Sequence, residues 1–167
     1  GQSPTGQIPG GQQPNAQPPE PPTAPEIAVL ALRARQPEIA VRTLRYHLRT
    51  ESGDARALRL LAVALLETRD FDDASSVMRL AYRTDPGLAA FALDFNELGY
   101  SQREARALLV RTVTYANRVN SASGLLSVAV LMQGEGREQP ALNVLARAAR
   151  AGLEPEVLDR LRDELGN

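Results

Sequence analysis

Residues 55–86 carry apolar side chains in two runs at helical spacing. Leu58, Leu61, Ala62 and Leu65 form the first, and Phe71, Ala74, Met78, Ala81 and Tyr82 form the second. Arg69-Asp70 breaks them apart, and Asp85-Pro86 closes the unit. The pattern predicts two antiparallel helices, because a tight helical pair needs small residues where the helices cross. Ala62 and Ala74 supply them, and Ala81 does the same toward a following unit. Pro86 cannot continue a helix and separates one unit from the next.

The pattern recurs in both directions. Downstream, Leu125, Val128-Ala129 and Met132 predict a first helix, Gly134-Glu135-Gly136 a turn, and Ala141, Leu145 and Ala148 a second helix with Pro140 in its first turn. Upstream, Ile27-Ala28 and Ala31 precede Ala40 and Leu44, and Ala74 follows Ala40 by 34 residues. Between these units the register shifts. Leu108, at the strict period, is too large for a crossing point, and Ala105 with Leu109 fits better. Ser101-Gln102-Arg103-Glu104 reads as a capping box that opens this unit's second helix. Phe91, Phe95 and Leu98, at i, i+4 and i+7, predict its first helix with the aromatics in the core. Pro155 to Leu165, with Val157, Leu158, Leu161 and Leu165 on one stripe, reads as an amphipathic capping helix.

The unit at 55–86 resembles the tetratricopeptide repeat (TPR). Leu58 stands at the family's Trp place, Leu61-Ala62 at Leu-Gly and Leu65 at Tyr; Ala74, Met78, Ala81 and Pro86 stand at Ala, Phe, Ala and Pro. The resemblance covers roughly residues 26–165, in units of about 26–53, 54–86, 87–121 and 122–153 with the cap at 155–165. It implies an all-α fold, a right-handed αα-solenoid of helical hairpins. The first unit departs from the family: its first helix is cut short by Pro25, Ala24 falls at the Trp place in the tail, and His47 stands where a small Ala is usual.

Residues 1–25 differ in kind. They hold eight of the twelve prolines, five glutamines and four glycines, with Ile8 isolated and no aromatic. Such a segment buries too little apolar surface to offset its ordering entropy, so a disordered or polyproline-like tether is expected. Pro19, Pro22 and Pro25 make overlapping PxxP spacings, which suit either a stiff spacer or a ligand for a proline-binding groove.

Composition narrows the function classes. A net charge of −1 provides no field for nucleic acid or an anionic membrane. All nineteen basic residues are Arg, a bias expected of a GC-rich coding sequence rather than a nucleic-acid signal. Without Cys there are no disulfides, thiolate metal sites or cysteine nucleophile. Without Lys there is no phosphate loop of the usual kind. His47 is the lone His and is expected to pack between units with its polar tip hydrogen-bonded. Asp70, Asp72 and Asp73 fit the positive end of a helix dipole better than a calcium site. No enzyme, cofactor or metal is expected. A tether ahead of such a domain, in a chain that starts at Gly1, suggests an exported or anchored bacterial protein, periplasmic or extracytoplasmic, with a cytoplasmic one as the alternative.

In TPR stacks the first helices line a concave face that holds peptides. The resemblance therefore implies partner-binding roles for Val29 and Arg33; for Arg56, Arg59, Val63 and Glu67; for Asp94 and Glu97; and for Ser123, Leu126, Val130 and Gln133. The Lys and Asn residues of the family's carboxylate clamp are absent, so an acidic chaperone C-terminus is not the expected partner. Two readings stay open. One is an adaptor or scaffold that binds a peptide or protein in this groove. The other is a structural subunit packed permanently into a larger complex or homo-oligomer.

Overall fold

The computed structural model describes residues 1–3, 5–6, 10–11 and 17–166, and among them there are eight α-helices, one 3₁₀ turn and no strand. The described residues before Thr23 are exposed and carry no helix; part of the expected tether lies outside the described residues. The first helix, α1, spans Ala24–Arg33, so it starts inside the segment assigned to the tail. Thr23 and Glu26 form a capping box, and Pro25 sits in the first turn, where its missing N–H has no helical partner to lose. Pro25 therefore starts this helix and does not truncate it.

Three hairpins follow from the alternating apolar runs. α1 pairs with α2 (Pro37–Leu48), α3 (Ala55–Glu67) with α4 (Phe71–Thr84), and α6 (Ala122–Gly134) with α7 (Glu138–Arg150). The crossing residues Ala40, Ala62, Ala74, Ala81, Ala129, Ala141 and Ala148 are all fully buried. Hairpins pack in sequence, α2 against α3 and α4 against α6. The last helix, α8 (Pro155–Leu165), buries Val157, Leu158, Leu161 and Leu165 against α7 and the 3₁₀ turn. Arg79 on α4 ties this end together, reaching the Glu154 carboxylate, the Gly152 carbonyl and the Ser123 hydroxyl.

The third unit corrects the sequence expectation. No helix carries Phe91, Phe95 and Leu98: a 3₁₀ turn covers Pro86–Ala90, and residues 91–100 are irregular. Local chemistry accounts for this. The Asp94 carboxylate accepts the N–H groups of Asn96 and Glu97, which offers the backbone an alternative to a helix. Gly99 then takes a left-handed φ of 75°, which ends any helical continuation. Phe95 and Leu98 are still buried, whereas Phe91 is 55% exposed.

The second helix of that unit, α5 (Gln102–Val119), opens on the expected Ser101–Glu104 box and lies antiparallel to α6. Arg106 pairs with Glu135 at one end, and Tyr115 and Ala116 lie beside Gly124 at the other. α5 also reaches the α3–α4 turn: Tyr115 stacks on Phe71 with ring centroids 5.2 Å apart. With α4, α5 and α7 around it, α6 is buried on nearly every side, as its almost uniformly apolar sequence requires.

His47 and Asp54 join α2 to α3. The Asp54 carboxylate caps α3 by accepting the Ala57 N–H and lies 2.9 Å from His47 Nε2. Burial pushes the Asp54 carboxyl up, but the bonds from His47 and the backbone outweigh it and hold it below its ordinary value. A depressed carboxyl stabilises the fold above the unfolded-state pKa of about 3.9 and loses that contribution as pH falls through its folded value. Asp54→Asn should cost about 1 kcal/mol or less at pH 7. It should also flatten the loss of stability below pH ~4, as read from urea denaturation at a series of pH values.

Candidate functional site

The irregular segment 86–100 lies across the first helices of the hairpins and is fastened mainly through its backbone. Arg59 on α3 donates to the Phe91 carbonyl at 2.6 Å, to the Tyr82 hydroxyl at 3.1 Å and, at a longer 3.5 Å, to the Leu88 carbonyl. Gln133 on α6 donates to the Ala89 carbonyl. Arg33 on α1 and Arg35 in the α1–α2 turn donate to the carbonyls of Glu97 and Gly99. Leu88, Ala89, Leu93, Phe95, Leu98 and Tyr100 are buried beneath it. At Gly134 the approach is so close that a Cβ would stand 2.8 Å from the Leu93 carbonyl oxygen and from the Phe95 ring.

The two phenols beside the segment are each hydrogen-bonded. Burial pushes the Tyr82 phenol up while Arg59 pulls it back, so a neutral hydroxyl accepts the guanidinium. Burial, then the Glu67 carboxylate, push the Tyr100 phenol well up, so Tyr100 donates to Glu67 at 2.7 Å. Glu67 also pairs with Arg111 on α5 at 3.3 Å.

The groove implied by the family is therefore largely occupied by the chain itself. Val63, Leu126 and Val130 are completely buried and are interior packing residues. Arg59, 9% exposed, and Gln133 bind the inserted segment, Glu67 binds Tyr100 and Arg111, and the Ser123 hydroxyl accepts from Arg79. These side chains are engaged within the chain, because residues 91–100 are irregular where the resemblance implies a helix.

One stretch of the face stays open. Between α1, the start of α3 and residues 91–98 runs a cleft of about 940 Å³. Its apolar lining includes Val29, Leu30, Leu60 and Phe91, and Leu30 is 61% exposed. Six of the expected binding residues meet here: Val29, Arg33, Arg56, Arg59, Asp94 and Glu97. Pro22 and Pro25 form part of its rim. The sequence pattern gives no sign of Leu30 and predicts Phe91 in the core, because its spacing with Phe95 and Leu98 fits a helix; the structure leaves both exposed at this cleft.

Among the described residues no group of three or more His, Asp or Glu is placed to hold a metal ion, and no helix is long and apolar enough to cross a membrane. No protein-family model, no curated protein and no solved structure matches the chain.

Arg59→Leu removes the donor that holds the Leu88 and Phe91 carbonyls, leaves only Gln133 on Ala89, and strands the Tyr82 hydroxyl. Loss of a charged hydrogen-bonded group at such a position should cost about 2–4 kcal/mol in denaturant unfolding. Arg59→Lys, which keeps the charge on a shorter, more strongly hydrated ammonium, should recover less than half of that.

Proposed function

We propose that the chain is a non-catalytic, protein-binding helical module of the tetratricopeptide type, which holds a segment of a partner in the cleft between α1, α3 and residues 91–98. The observation that carries this reading is the cleft itself. It is a concave, apolar-floored site of the size that ligand-binding sites adopt, it keeps Leu30 and Phe91 accessible, and besides the buried Arg59 it gathers five residues that the repeat register assigns to recognition: Val29, Arg33, Arg56, Asp94 and Glu97. The hairpin order, with buried alanines at each crossing and second helices packed on the next first helix, supports the repeat assignment.

Arg59 and Val63 are interior, so changing them would disturb the fold before it disturbed a partner. Leu30→Glu places a charge on the exposed wall of the cleft and leaves the α1 capping box untouched. In affinity capture from cells of the source organism, the wild type and a remote control, Arg150→Glu on α7, should retain the same partner. Leu30→Glu should lose at least tenfold of it with unchanged helical circular dichroism. Equal capture by all three would contradict the assignment of the cleft as the binding site, and favour a subunit that packs into an assembly through another surface.

A further inference from the structure

The charges around the cleft are not equivalent, and the difference points to the chemistry of the occupant. Arg56 lies over the Phe91 ring, its guanidinium carbon 4.8 Å from the ring centroid. Stacking on an aromatic fixes the plane of a guanidinium and leaves its in-plane N–H groups free. Among the described residues no carboxylate comes within salt-bridge distance of Arg56. The acids of the cleft are differently placed. One carboxylate oxygen of Asp94 is taken by the Asn96 and Glu97 N–H groups, and Glu26 accepts the Thr23 N–H in the α1 cap. Arg33 is bonded to the Glu97 backbone carbonyl, and both residues line the cleft, one cationic and one anionic.

Size restricts the occupant further. The rest of the face is covered by residues 86–100, and α1, ten residues long, spans about 15 Å. An extended chain at about 3.3 Å per residue fills that length with four or five residues. Resting on the functional reading above, we infer that the occupant is a short extended peptide of a partner protein. It seats an apolar side chain against Leu30, Leu60 and Phe91 and, within a few residues of it, a carboxylate on Arg56. Arg56 is exposed and stands in the first turn of α3, where an acid suits the helix dipole, so Arg56→Glu keeps the fold while reversing the recognition charge.

The test is selection from a displayed library of random seven-residue peptides on the full chain, run in parallel on Arg56→Glu and Arg56→Ala. The wild type should enrich peptides that combine an apolar residue with Asp or Glu. Arg56→Ala should weaken a selected peptide roughly tenfold, the scale of one charge-assisted hydrogen-bonded contact. Arg56→Glu should shift the enriched charge to Lys or Arg. Selection of peptides without an acid, or an acidic preference that survives Arg56→Glu, would overturn the inference and leave the binding reading standing. Failure of the wild type to select any peptide would count against the binding reading itself. Enrichment of proline-rich sequences like Gln17–Pro22, which carries Glu20 and ends at the cleft rim, would show that the site takes the chain's own leader and would overturn the claim of a separate partner.

Discussion

A guanidinium in a nearly dry interior needs fixed oxygens, and Arg59 meets them through Nη1 at the Leu88 and Phe91 carbonyls and the hydroxyl of Tyr82. Those oxygens are neutral, so the charge is offset by dipoles that have to stay in position. The contact couples α3, α4 and the inserted segment in one network, and the segment cannot lift away without leaving a charge unsatisfied. The site above it depends on this. The Phe91 carbonyl is held by Arg59 and its ring lies under Arg56, so the wall of the cleft is fixed by two arginines one helical turn apart.

The inserted segment also explains the packing of the later helices. A regular repeat would place a first helix at residues 87–100 against α4. The coil that stands there leaves α4 open, and α6 takes that place while it keeps α5 as an antiparallel neighbour. The near-complete burial of α6 follows, and so does the need for Gly134 at its end, where Leu93 and Phe95 pass. A face that a solenoid would expose along its whole length is thereby reduced to the stretch beside α1.

Much of this fold is legible in the chain. The paired runs at 55–86 and 122–150, the Ser101–Glu104 box and the amphipathic 155–165 segment state their elements through spacing and capping chemistry. The segment 86–100 is not legible in that way, because Phe91, Phe95 and Leu98 satisfy helical spacing while the backbone is turned by Asp94 and Gly99. The site fails for a related reason. Repeat register puts Val63, Leu126 and Val130 on an open face, whereas all three are fully buried by tertiary packing that no local window contains. Two local signals were present. Asp94-Phe95-Asn96 with Gly99 offers turn chemistry, and Arg59 interrupts the otherwise apolar Leu58–Leu66 stretch of α3.

Residues 86–100 are a fixed part of the fold, with Leu88, Ala89, Leu93, Phe95, Leu98 and Tyr100 in its core. Native-state hydrogen exchange tests it most directly. The amides of Phe91 and Tyr100 are bonded to the Leu88 and Phe95 carbonyls at 2.9 Å. They should exchange as slowly as those of the middle of α3, through unfolding of the whole domain. Exchange of these amides at the rate of a free coil, while α3 stays protected, would contradict the account.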